Sequence, residues 1–334
     1  MADKSLYGVE ETVKLVAETG VGKSDVSLPR LLFSGFMAGA YIAFAFFLSI
    51  VAAASFSHLG PHYHYSLYKV MLGIFFPFGL VAVVIGGAEL WTGNVQFSST
   101  AALQGKISKR HTLYNWIVSY TGNFAGAFFL AFLVTVGGGI ISSHKLLSEV
   151  VTQAALTKSG GGFFPLLWLG VGCNWLVNLA IWLSFKGKDA AGKVILLWFP
   201  VFGFVAMGFE HSIANMWIFS SALLLPGGGV DWGMVMDNLV PVTLGNALGG
   251  FFFVSFYHWF LYDGKKAIRK VFDYLGVTTA FIVLVGVFPL GVVKMIPGFS
   301  KAPYFFPLFY SLYGTALGFV LLRQVNKGKK EKKK

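Results

Sequence analysis

Charge is what this 334-residue sequence lacks most: Asp, Glu, Lys and Arg make up only 12% of it, about half the share of a soluble domain. With 56% hydrophobic and 17% aromatic residues and a mean hydropathy of +0.69, the composition excludes a water-soluble protein. Cysteine is nearly absent. Cys173 stands alone inside an apolar run, so a disulfide framework, a cysteine metal site and thiol redox chemistry are excluded. The first thirty residues lack the apolar core and small-residue cleavage site of a signal peptide, and no cleaved signal is expected. The net charge of +12 sits largely in short connectors and in the tail KGKKEKKK at 327–334. Beside long apolar runs, such charge reads as membrane topology and lipid contact rather than nucleic-acid binding.

What is present is a series of apolar runs at about 31–54, 69–104, 113–141, 164–185, 192–224, 239–262, 274–293 and 303–322. Each is long enough to cross a hydrocarbon core of about 30 Å, which predicts an all-α integral membrane protein with eight spans. Connectors 105–111, 186–193 and 263–270 are rich in Lys and Arg, whereas 55–68 has neither and 225–238 offers only Asp231 and Asp237. Both termini are therefore expected in the cytoplasm, in a cell (plasma) membrane. The connector 142–163, with Lys145, Lys158 and Glu149, is weaker evidence, and 144–157 has the length of a surface helix. In segment 1–30 the spacing of Val9, Val13, Leu15 and Val16 suggests a short amphipathic helix.

Two runs are too long for one crossing and carry polar patches near their middles. GGAELWTGNVQFSST (86–100) places Glu89, Thr92, Asn94 and Gln96 at membrane depth, and GFEHSIANMW (208–217) does so with Glu210, His211, Ser212 and Asn215. Broken helices are expected, with unwound backbone that needs internal partners or a wet cavity. The patches are also alike. Gly87, Glu89 and Asn94 repeat the spacing of Gly208, Glu210 and Asn215, and Gly122-Asn123 with Gly126 recurs as Gly245-Asn246 with Gly249. The first six spans thus read as two three-helix repeats. Three is odd, so the second repeat is inverted, and its broken helix meets the first near the midplane, as at a transport site. Gly35, Ala38, Gly39 and the repeated glycines point to close helix packing.

The motifs AELWTGN (88–94), CNWLVNLAIW (173–182), GFEHSIANM (208–216) and PVTLGNALGG (241–250) resemble those of the formate/nitrite transporter family, over about residues 30–262. The resemblance implies an aquaporin-like inverted-repeat bundle of six helices, two of them broken, and a homopentamer with one pore per protomer. It also implies passage of small monovalent anions or their acids. On this reading residues 1–30 form a cytoplasmic N-terminal segment and 31–262 the pore domain. Residues 263–326 then form an extension with two additional C-terminal transmembrane helices, and 327–334 a basic tail. The family pattern ends soon after the sixth helix, so the extension is a departure, open to an unidentified partner or to lipid. Trp91 is another, standing where phenylalanine is usual.

Carried onto this chain, the family pattern makes His211 the pore histidine and Thr92 its pore threonine, a residue type that equally caps helix starts. Lys158 and Asn174 match a vestibule lysine and an asparagine of the fourth span, where Asn174 would either donate to the anion or satisfy backbone. Phe76, Leu80 and Phe204, with Leu90 and Trp91, are the candidates for apolar constrictions that exclude hydrated ions. Glu89, Asn94, Glu210 and Asn215 are expected to hold the breaks structurally, a proton relay through the carboxylates being the other reading.

The function expected is transport of a small monovalent anion, formate first, assisted by proton transfer or hydrogen bonding at His211. Nitrite is the alternative, with hydrosulfide, acetate and lactate behind it. No catalytic residue, metal or cofactor is expected. His58, His62 and His64 of the HLGPHYH connector could bind a metal or sense pH, but lack a nearby carboxylate or cysteine. A membrane redox subunit would need paired deep histidines, and only His211 lies deep, His258 being close to a span end.

Overall fold

The computed structural model describes residues 5–58, 64–263, 267–296 and 299–331. His62 lies outside them, as do the side chains of His58 and His64 and most of the tail, so the expectations placed there are not followed further. The fold is all-helical. An amphipathic α1 (Val9–Ser24) precedes the first spanning helix, α2 (Leu28–Ala53). The next run becomes three pieces, α3 (His64–Phe75), α4 (Pro77–Gly86) and α5 (Trp91–Leu103), followed by α6 (Lys109–Phe132). The second half repeats the order: α7 (Lys145–Ser159), α8 (Phe163–Lys186), α9 (Ala190–Met207), α10 (Ser212–Leu224) and α11 (Trp232–Gly250). A π-helical turn carries α11 into α12 (Tyr257–Asp263), and α13 (Ala267–Ile282), α14 (Phe288–Met295) and α15 (Phe305–Glu331) complete the chain.

Among the described residues, eight helical stretches are long and apolar enough to cross a membrane, from Leu28–Ser57 to Phe305–Gly328, matching the spans expected from hydropathy. Both expected breaks are present, and both have the same local cause. Gly87 and Gly208 end α4 and α9 with φ of 77° and 82°, a left-handed conformation that closes a helix and that only glycine adopts without strain. A further interruption, not anticipated, separates α3 from α4. Pro77 has no N–H to continue the ladder, which sets Phe76 at the joint.

The halves are built on equivalent helix pairs, α2 with α6 and α8 with α11. A β-carbon at Gly122 would lie 2.6 Å from the Leu32 carbonyl oxygen, and one at Gly170 would lie 2.6 Å from that of Val242, so backbones touch directly at both crossings. The chain after α12 packs on one flank of this arrangement. Gly314 of α15 presses on the Thr121 side chain, and a β-carbon at Gly318 would meet Val118 at 2.5 Å. Tyr310 packs on Phe124 with centroids 4.9 Å apart. The salt bridges Lys109–Asp273 and Lys294–Asp237 join α13 and α14 to the rest at half-exposed ends, where such pairs add little stability.

Gly122→Val tests the backbone contact: overpacking costs about 1–3 kcal/mol. A lower melting temperature in detergent is expected, with the same loss for Gly170→Val at the equivalent crossing.

Candidate functional site

Both breaks expose backbone groups inside the membrane, and one asparagine serves each. Asn123 of α6 accepts from the Trp91 backbone N–H at 2.8 Å and donates to the carbonyls of Gly35 (2.8 Å) and Glu89 (2.9 Å). Asn246 of α11 accepts from Ser212 N–H at 2.9 Å and donates to Gly170 (2.8 Å) and Glu210 (2.9 Å). Each amide uses both N–H donors and its oxygen acceptor, and a hydroxyl, with one donor, could not make both donated bonds.

The break carboxylates are held in the same way. Glu89 accepts from Asn94 at 2.8 Å and pairs with Lys23 at 3.0 Å, while Glu210 accepts from Asn215 at 2.6 Å and pairs with Lys158 at 2.7 Å. All four charged side chains are largely buried, at 18% and 8% exposure for the first pair and 20% and 9% for the second. The lysines end α1 and α7, and their carbonyls accept from Asn115 (3.0 Å) and Asn238 (2.9 Å). Lys23, Asn115, Asn123, Asn238 and Asn246 are thus parts of the site to which sequence reasoning gave no site role. A signal was available: Lys23 precedes Gly35 by the same twelve residues as Lys158 precedes Gly170, which places α1 and α7 inside the repeat.

A cavity of about 1060 Å³ opens beside the second break, lined by Lys69, Lys158, Glu210, His211, Phe76 and Phe204 among others. Lys69, from α3, is a second lysine in this wall that sequence reasoning did not select. Toward the protein centre the Phe76 and Phe204 rings meet edge to face at 5.5 Å. Phe204 also stacks on His211 at 6.0 Å. Behind these rings His211 Nε2 lies 3.0 Å from Thr92 Oγ1, so the two breaks meet at one point.

His211 caps α10: its Nδ1 accepts the Ala214 backbone N–H at 3.2 Å. That bond assigns the neutral tautomer with hydrogen on Nε2. Nε2–H then donates to Thr92 Oγ1, which leaves the threonine hydroxyl hydrogen available to another acceptor. Asn174 takes the second of its two expected roles and satisfies backbone: it donates to the carbonyls of Thr92 (3.2 Å) and Asn246 (2.6 Å), with Asn178 supporting Thr92 at 3.1 Å. Trp91, a constriction candidate, has its ring fully buried and packed against Trp116, Tyr120 and Phe281. Leu80 and Leu90 are each 2% exposed within the apolar core and do not line the cavity. No group of three or more His, Cys, Asp or Glu able to hold a metal occurs among the described residues. His258 stacks on Trp182 and contacts the Val254 carbonyl.

Two broken helices meeting at a buried polar pair below a lysine-lined cavity define a multi-pass membrane protein with a path for small solutes. Comparison with known proteins gives the family. The formate/nitrite transporter model matches residues 10–260, and the chain belongs to that family. It is 37% identical over 266 residues to the "Probable formate transporter" of Methanothermobacter thermautotrophicus, covering 75% of this chain and 96% of that protein. A solved "FNT family ion channel" superposes with a TM-score of 0.68 at 29% identity, over 75% of this chain and 99% of that one. A "Pentameric formate channel with formate bound" gives 0.60 at 31% identity, over 70% and 97%. The protein is therefore a small-anion transport protein of aquaporin-like fold and not an enzyme.

The paired frame makes a sharp prediction. Removing one partner of a buried ion pair is costly, about 3–5 kcal/mol in soluble proteins, because the other charge stays uncompensated. Lys158→Met alone should lower the melting temperature more than Lys158→Met combined with Glu210→Gln, and Lys23→Met with Glu89→Gln should behave alike; a double variant as unstable as the sum of its singles would contradict it.

Proposed function

We propose that the protein transports formate, that hydrogen bonding at the Thr92–His211 centre assists the passage, and that a proton taken from the cavity accompanies the anion. The observation that carries this reading is the 3.0 Å Thr92–His211 contact behind a phenylalanine pair at the base of a cavity that holds Lys69 and Lys158. Formate also stands in the printed names of relatives that cover most of this chain. Residues 31–262 form the pore domain, 263–326 an added helical extension and 327–334 a basic tail. The protomers assemble as a homopentamer, and both termini face the cytoplasm.

The anion enters from the cavity, where Lys69 and Lys158, the latter paired with Glu210, are the cationic groups of the wall. It sheds water at Phe76 and Phe204, whose apolar edges give nothing back to a hydrated ion. Beyond them a bare anion faces a desolvation cost of several kcal/mol and about 2.3 kcal/mol for each 100 mV of membrane potential. The neutral acid faces neither. As the negative oxygen arrives, Nε2–H of His211 exchanges Thr92 Oγ1 for it, and the Thr92 hydroxyl donates beside it. Because Nδ1 is engaged by the Ala214 N–H, His211 works as a neutral donor: forming an imidazolium would break the α10 cap. The proton that accompanies the anion then comes from the cavity water, and Lys158 and Glu210 at its wall order that water.

Formate and nitrite uptake into proteoliposomes between pH 5 and pH 8 tests this. Wild-type formate flux should rise as pH falls, because the neutral acid population rises. His211→Asn, which removes the ring while keeping a donor, should lower the formate rate by about 10-fold or more. Faster nitrite than formate flux would move the substrate to the other anion of the family name, and flux of neither would overturn the reading.

A further inference from the structure

The family match ends at residue 260, yet the chain beyond it touches the pore break directly. Phe281, in the last turn of α13, stacks on Trp91 with centroids 5.1 Å apart and planes 13° from parallel. It also meets Trp116 and Tyr120 edge-on at 5.4 and 5.5 Å. Trp91 contacts the same two rings edge-on at 6.1 and 5.1 Å, and both Trp91 and Phe281 are fully buried. Four aromatic rings thus form one closed box, three supplied by the α5 and α6 helices and the fourth by the extension. Helix α13 is itself anchored: Tyr274 stacks on Phe251 and its hydroxyl donates to the Ala247 carbonyl at 2.8 Å.

Trp91 is a sensitive place to press. Its backbone N–H is the one Asn123 holds at the break, and its neighbours are Leu90 and Thr92, the latter 3.0 Å from His211. Ser212 stands where Trp91 would fall by the repeat, and its N–H reaches Asn246. Both breaks share the asparagine clamps and the Lys–Glu–Asn chains; among the described residues, the Trp91 break adds a stacked ring from a helix outside the shared family region.

We propose that Phe281 is a positioning residue: through Trp91, the C-terminal extension sets the seat of Leu90–Thr92 and with it the size selectivity of the pore. The selectivity part rests on the proposed path past Thr92 and His211. Truncating Phe281 leaves a cavity of one ring against Trp91, which packed interiors close only partly. Trp91 then gains room, and the break loosens at the residues that face the path.

The test compares full-length wild type, Phe281→Ala and the volume-conserving Phe281→Met. Amide hydrogen exchange over segments 87–96 and 208–217 reads the coupling whether or not any anion is transported. Phe281→Ala should speed exchange in 87–96 by about 10-fold or more while leaving 208–217 unchanged, and Phe281→Met should restore most of it. In proteoliposomes, the formate-to-lactate flux ratio does not depend on how much protein is folded, and Phe281→Ala should shift it about threefold or more toward lactate. Exchange that is unchanged, or faster in both segments alike, would overturn the proposal, as would an unaltered flux ratio. Absence of wild-type flux would instead remove the transport reading, with the exchange result still deciding the coupling.

Discussion

A helix cannot be interrupted inside hydrocarbon unless something other than water pairs its freed N–H and C=O groups. In this protein that constraint falls on two side chains, Asn123 and Asn246. Each makes three hydrogen bonds of 2.8–2.9 Å to backbone groups at and beside one break. The rest of the architecture follows from keeping those amides in place. Close glycine crossings bring α6 onto α2 and α11 onto α8, so that one asparagine reaches both a break and the neighbouring helix. The Lys–Glu–Asn chains then fix the outer edge of each loop.

This frame is nearly the same in both halves, and the chemistry lies where the halves differ. By the spacing of the repeat, His211 corresponds to Leu90, Ser212 to Trp91 and Ile213 to Thr92. A symmetric frame alone would carry two identical loops and no polar centre. Placing a histidine on one loop and a threonine on the other sets one donor pair at the meeting point, with apolar side chains at the matching positions. The histidine serves both purposes, capping α10 through Nδ1 and presenting Nε2–H inward. Structure and chemistry are coupled at that single ring.

Much of this was legible in the sequence because breaks in lipid demand conspicuous residues. Gly87 with Glu89 and Asn94, and Gly208 with Glu210 and Asn215, announced the loops and their repeat. What stayed hidden depended on side-chain direction or on long-range pairing. Trp91 opens α5, but the face it presents is set by helix rotation, which a motif does not carry. Lys23 lies 66 positions from its partner Glu89, in a segment whose spacing suggested only a short amphipathic helix. Tracing the repeat back through α1 and α7 recovers it. The interruption at Pro77 was hidden inside a continuous apolar run, where hydropathy gives no sign of a lost hydrogen bond.

The most direct measurement is a cryo-electron microscopy map of the full chain in lipid nanodiscs with saturating formate. Anion density is expected between the Phe76–Phe204 pair and the midplane, within hydrogen-bonding distance of His211 Nε2 and the Thr92 hydroxyl, with both asparagine clamps intact. An anion held elsewhere, with His211 still bonded only to protein, would contradict it.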